Sequence, residues 1–108
     1  MRHLKTYENI IKEPKIGDYV IMRSKYKSKP ELTEFIENTI GEIFSKYYSD
    51  SKMEDIRVIY DFVPDDIRKN FMMIQGGFTM WFKNYDIIEY AKTKKELKLK
   101  IAAKKYNI

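Results

Sequence analysis

Asp55-Ile56-Arg57-Val58-Ile59-Tyr60-Asp61-Phe62-Val63 is the stretch that decides the fold. Side chains of an extended chain point alternately to opposite faces. Ile56, Val58, Tyr60 and Phe62 therefore line one face, and Arg57, Ile59, Asp61 and Val63 the other. The segment is the clearest strand of the chain, expected in the middle of a sheet with the Ile56 face on the core. Pro64 stops it, and Asp65-Asp66 opens an irregular connection through Asn70.

On the N-terminal side, Glu42 to Tyr48 reads as a partner strand, joined to it by the turn-forming Ser49-Asp50-Ser51-Lys52. Before that, Ser28-Lys29-Pro30-Glu31 has the form of a capping box with Pro in the first turn. Leu32, Phe35, Ile36 and Ile40 follow on one helical face and Gly41 suits the helix end, so a short helix is expected over 28–40. Ile16-Gly17-Asp18-Tyr19-Val20-Ile21-Met22 opens a first strand, and Arg23 to Lys29 is a loop with four positive charges.

On the C-terminal side, Phe71-Met72-Met73-Ile74 and Phe78-Thr79-Met80-Trp81-Phe82 flank Gln75-Gly76-Gly77 as a hairpin. Asn84-Tyr85-Asp86 reads as one tight turn before Ile87-Ile88-Glu89-Tyr90. Glu96 to Ile101 alternates as a strand would, but Thr93-x-x-Glu96 is a capping box and Ala102-Ala103 favours a helix, expected from Thr93 to Tyr106. On that helix Leu97, Ile101 and Ile108 share one face, and Leu99, Ala102, Ala103 and Tyr106 the opposite one. Leu97 and Ile101 are the expected inward pair.

A chain of 108 residues makes one domain. The expected division is an arm over 1–15 with a short helical turn around Tyr7 to Ile11, a sheet domain over 16–90 and a basic helix over 91–108. The net charge of +5 is concentrated at the end. Residues 91–108 hold seven lysines and one acid, while the first ninety are almost neutral. Heavy use of Lys, Ile, Tyr and Asn reflects an AT-rich coding bias, which discounts lysine count as an argument for nucleic-acid binding. The charged N-terminus has no apolar core of a signal peptide, and no stretch approaches the roughly 20 apolar residues of a membrane span. With no cysteine in the chain, the expectation is a cytoplasmic protein without membrane association.

The same inventory excludes most catalysis. There is no cysteine, and His3 is the sole histidine, so Cys–His and Ser–His chemistry lack an ordered base in the body. Asp61, Asp65 and Asp66 lack the spacing of a calcium loop, and Gly76-Gly77 sits in no phosphate-binding frame. No catalytic residue, metal or cofactor is expected. Tyr47 and Trp81 are the aromatic residues best placed for ligand contact. Leu99 and Tyr106 form a second candidate partner surface, on the outward stripe of the tail helix.

The run Gly17-Asp18-Tyr19-Val20-Ile21-Met22, then Ile40-Gly41-Glu42-Ile43, Asp55 to Phe62, and Trp81-Phe82-Lys83-Asn84-Tyr85-Asp86-Ile87-Ile88 resembles the strands of the SH3-like small β-barrel of KOW and Tudor-type domains. The resemblance covers roughly residues 16–90; the helix in the first loop and the Phe71–Ile74 segment depart from it. The resemblance implies the barrel; with the two helices read above, the expected fold is α+β, an SH3-like barrel or strongly bent antiparallel sheet of five to six strands, with one short helix in the first loop and a C-terminal helix. The C-terminal wording, Trp81-Phe82-Lys83 through Glu96-Leu97 to Lys104-Lys105-Tyr106-Asn107, is similar in style to small accessory proteins of AT-rich phages and large DNA viruses. That likeness implies a non-catalytic protein that docks on a protein partner, as inhibitors of host defence systems do, either as a monomer or as a homodimer. The alternative is a nucleic-acid-binding accessory module, in which Arg23, Lys25 and Lys27 of the first loop and Lys94, Lys98 and Lys105 of the tail neutralise phosphates.

Overall fold

The computed structural model describes residues 14–48 and 54–106. The expected arm over 1–15, with its turn at Tyr7 to Ile11, lies outside them but for its last two residues; the turn at Ser49 to Lys52, His3 and Ile108 lie wholly outside.

Six strands form one antiparallel sheet. They are β1 (Tyr19–Met22), β2 (Gly41–Tyr48), β3 (Glu54–Tyr60), β4 (Met72–Ile74), β5 (Gly77–Lys83) and β6 (Ile87–Ala91), arranged in the order β4-β5-β3-β2-β1-β6. Helix α1 (Pro30–Asn38) lies between β1 and β2, and α2 (Lys94–Tyr106) ends the described chain. Short 3₁₀ segments at Asp65–Asn70 and Asn84–Asp86 make the two irregular connections. The sheet stays open, with β4 and β6 as its edges, so of the two expected forms the chain takes the sheet and not the closed barrel.

β3 is paired along both sides. Ile56 stands opposite Lys46 and Phe82, and Val58 opposite Ile43 and Met80. Ile56, Val58 and Tyr60 are buried against Val20, Met22, Ile43, Phe82 and the α1 residues Leu32 and Ile36. Phe35, Tyr60 and Phe71 meet as a ring cluster, with centroids 5.4 to 5.8 Å apart. Phe62 breaks the expected alternation, being 64% exposed while Val63 is fully buried. The ladder ends at Tyr60, so nothing beyond it enforces the two-residue period. Pro64 holds Val63 extended, and the phase slips by one, sending Val63 into the core. Phe62 lies instead under the Arg68 guanidinium.

Two further expectations fail locally. The N-cap of α1 is Lys29, with no side-chain cap, rather than Ser28. Pro30 has no N–H to satisfy, and the entry is held by Lys29 N–H donating to Tyr26 O and Thr33 N–H to Lys29 O. Gly41 does not end the helix, which stops at Asn38; it opens β2. A Cβ there would collide with Val58 Cγ1 and stand 2.9 Å from Tyr60 Cε1. The glycine therefore serves close approach of β2 to β3.

Strand β1 separates the two helices. Val20 and Met22 join the main core beneath α1, whereas Ile21 joins Ala91 and Leu97 in a second cluster with Tyr19, Ile88 and Ile101. The tail is a helix, as its capping box indicates: Thr93 Oγ1 accepts from Glu96 N–H at 3.1 Å. Leu97 is buried, Ile101 is half-buried and Leu99 is exposed. Among the described residues α2 thus covers the outer face only over β1 and β6, and no described helix covers the outer face of β2, β3, β5 and β4.

Candidate interaction face

The open outer face is built in rows by the strand register. In one row Ser45 of β2 stands opposite Arg57 of β3, which stands opposite Trp81 of β5. The next holds Tyr47, Asp55 and Lys83, and the row on the other side holds Glu42, Ile59, Thr79 and Met72. Between Ile43 and Ser45 the register shifts, with Phe44 as the extra residue of a bulge. This turns Phe44 onto the outer face, beside Arg57.

Arg57 is the centre of the arrangement. Its guanidinium carbon lies 5.5 Å from the Phe44 ring centre and 5.7 Å from that of Trp81, within cation–π range of both. Arg57 Nε donates to Thr79 Oγ1 at 3.1 Å and Nη2 to Met72 Sδ at 2.9 Å, while Thr79 Oγ1 donates to Met72 O. These contacts fix the plane of the guanidinium and bury Thr79 beneath it. Around it Phe44, Tyr47, Met72 and Trp81 remain 44, 59, 57 and 40% exposed. Lys83 Nζ meets Asp55 Oδ1 at 2.7 Å, and that hydrogen bond raises the lysine's pKa.

The two aromatic residues singled out from sequence, Tyr47 and Trp81, are therefore on one face, in adjacent rows. With strands about 4.8 Å apart, they stand on either side of β3, with Asp55 and Arg57 between them. Phe44, Arg57 and Met72 complete the face and were not singled out. The bulge that exposes Phe44 has no sequence signature, but an arginine between Ile56 and Val58 in the central strand was a readable signal. Leu99 is on α2, away from this face, and the Tyr106 side chain lies outside what is described.

The basic candidates do not form one patch. Arg23, Lys25 and Lys27 are on the loop entering α1. Lys27 Nζ is bound to Glu37 Oε2 at 2.7 Å, and Ser24 N–H donates to the same oxygen. These two contacts hold the Glu37 carboxyl below its usual pKa. Lys25 lies over the Tyr26 ring. On α2, Lys94 approaches Asp61 at 3.8 Å and lies over Tyr19. Lys98 is exposed, and the Lys105 side chain lies outside what is described.

Among the described residues no three acidic or histidine side chains converge as a metal site, and no helix is long and apolar enough to cross a membrane. Asp65 is engaged by Arg68 at 2.7 Å. No protein-family model, curated protein or solved structure matches the chain.

Proposed function

We propose that this chain is a non-catalytic docking module that recognises another protein through its open sheet face. The observation that carries the reading is the exposed cluster of Phe44, Tyr47, Met72 and Trp81 around Arg57. Tryptophan, tyrosine, methionine and arginine are the residues enriched at the cores of protein interfaces, where a few of them carry most of the binding energy. Here they stand on paired strands and bulge backbone, so little backbone ordering entropy remains to be lost on binding. The likeness to small viral accessory proteins gives such docking its use, the inhibition of a host defence system by occupying a surface.

Nucleic-acid binding has weaker support. Several of the first-loop and α2 lysines are held by Glu37, Asp61 and Glu89 of the chain itself. Affinity capture from lysate of the source cells, with wild type, Trp81→Ala, Tyr47→Ala and Leu99→Asp as baits, tests the proposal. A partner retained by wild type and Leu99→Asp but lost by the two aromatic variants is the expected result. Equal capture by all four, or loss only with Leu99→Asp, moves the docking surface elsewhere.

A further inference from the structure

We infer that the partner presents a carboxylate to Arg57, flanked by apolar side chains that cover Phe44, Trp81 and Met72. The inference rests on the docking reading above and names the chemistry of its partner.

Arg57 is half-buried, yet no carboxylate of the described chain lies within ion-pair distance of it. The nearest acid along β3 on the same face, Asp55, is held by Lys83 at 2.7 Å. The acceptors Arg57 does have are neutral, the Thr79 hydroxyl and the weakly accepting Met72 thioether. A guanidinium carries five N–H donors, so those on Nη1 and the second on Nη2 are not used by these two contacts. A charge partly withdrawn from water between two aromatic rings, with spare donors, is poised for a charge-assisted bond. Arginine's planar fork matches a carboxylate in bidentate fashion, and low local dielectric strengthens the pair.

The surroundings favour a single carboxylate over a run of phosphates. On the outer face the positions around Arg57 include Asp55 and, one strand over, Glu42. Asp55 is paired with Lys83, and Glu42 shares a pocket with Asp61 and Lys94, so this edge offers a run of phosphates two acids against one lysine. One acidic side chain between apolar neighbours meets Arg57 and the rings and leaves the Asp55–Lys83 pair intact.

The test uses a displayed library of random 12-residue peptides, selected on the wild-type protein, with a 12-nucleotide oligothymidine as a second probe. Selected peptides are measured by fluorescence anisotropy against wild type, Arg57→Lys, Arg57→Met and Trp81→Ala, each checked for its circular dichroism and melting. The expected outcome is enrichment of Asp or Glu between apolar residues, with affinity falling at least tenfold in Arg57→Met and by an intermediate factor in Arg57→Lys. Replacing the acid of the peptide by its amide should reproduce the Arg57→Met loss on unaltered protein, which keeps the test decisive if a variant does not fold. Peptides that are lost with Trp81→Ala but are indifferent to Arg57→Met and to the amide change overturn the carboxylate and leave the face standing. Peptides indifferent to every variant, or no selection at all, overturn both. Oligothymidine binding that depends on Arg57 assigns the guanidinium to phosphate and overturns the inference.

Discussion

Gly41→Ala combined with Val58→Ala tests the packing that brings β2 against β3. The Gly41 backbone has no positive φ, so alanine is conformationally acceptable there and normally favoured in a strand interior over glycine. Space reverses the sign. The new methyl would fall onto Val58 Cγ1, 2.9 Å from Tyr60 Cε1 and 3.2 Å from Ile59 O. Neighbours cannot retreat, because Val58 and Tyr60 are fully buried in a strand paired on both sides. Overpacking of this kind costs about 1–3 kcal/mol. Val58→Ala alone removes two buried methyl groups, worth about 0.8 kcal/mol each in transfer, plus the cavity left behind, or about 2 kcal/mol in all.

The two defects occupy the same space, so the methyl at 41 enters the hole left at 58. The double variant should cost about 2 kcal/mol, well short of the sum of the singles, a coupling of about 1–3 kcal/mol. Urea unfolding at one temperature measures all four corners of the cycle, with an unchanged m value confirming two-state behaviour. If the double variant loses the sum of the singles to within about 0.5 kcal/mol, the two sites do not share that space and the β2–β3 approach described here is wrong.

Ile56→Ala should destabilise by about 2–5 kcal/mol, whereas Phe62→Ala, at an exposed position, should stay within about 0.5 kcal/mol; equal losses in the same unfolding assay would restore Phe62 to the core. Tyr60→Phe should stabilise by about 1 kcal/mol, since the Tyr60 hydroxyl is buried without a hydrogen-bond partner. A loss of stability on that change would mean that the hydroxyl is satisfied. Glu37 has a folded pKa below its usual 4.5, chiefly through the Lys27 hydrogen bond. Its contribution is therefore present above that value and disappears as pH falls through the folded pKa. Glu37→Gln should lower stability at pH 7 and flatten the acid limb of a stability–pH profile. A variant curve parallel to wild type through that window would refute the linkage.

Much of the fold was legible because its signals are local and repeat. The alternation of Ile56, Val58 and Tyr60 gave the central strand, the Gly76 turn gave the β4–β5 hairpin, and Thr93 with Glu96 chose helix over strand for the tail. The errors fall where a tertiary contact replaces a local rule. Phe62 and Val63 exchange faces because the ladder has ended before them. Gly41 reads as a helix stop, yet its reason is the approach of Val58 from a strand whose pairing the sequence does not display. Ser28 looks like a cap, but the entry of α1 is fixed by Pro30 and a network that runs from Ser24 through Thr33 to Tyr26 O.

Charge count pointed to the tail, and geometry points elsewhere. Lys94 and Lys104 pair with Asp61 and Glu89, and Lys100 Nζ donates to Tyr90 O at 2.9 Å. Part of the basic excess therefore helps to seat α2 on the edge of the sheet, each exposed pair adding little by itself. Arg57 contributes one charge in 21 basic residues and is invisible in any composition argument. It combines partial burial, aromatic walls and spare donors, and no carboxylate of the described residues is within ion-pair distance. A solvated lysine gains little from an anionic partner, because water already satisfies it. A half-buried guanidinium with no described carboxylate beside it gains more, which is why the proposed docking centres on Arg57 and not on the tail.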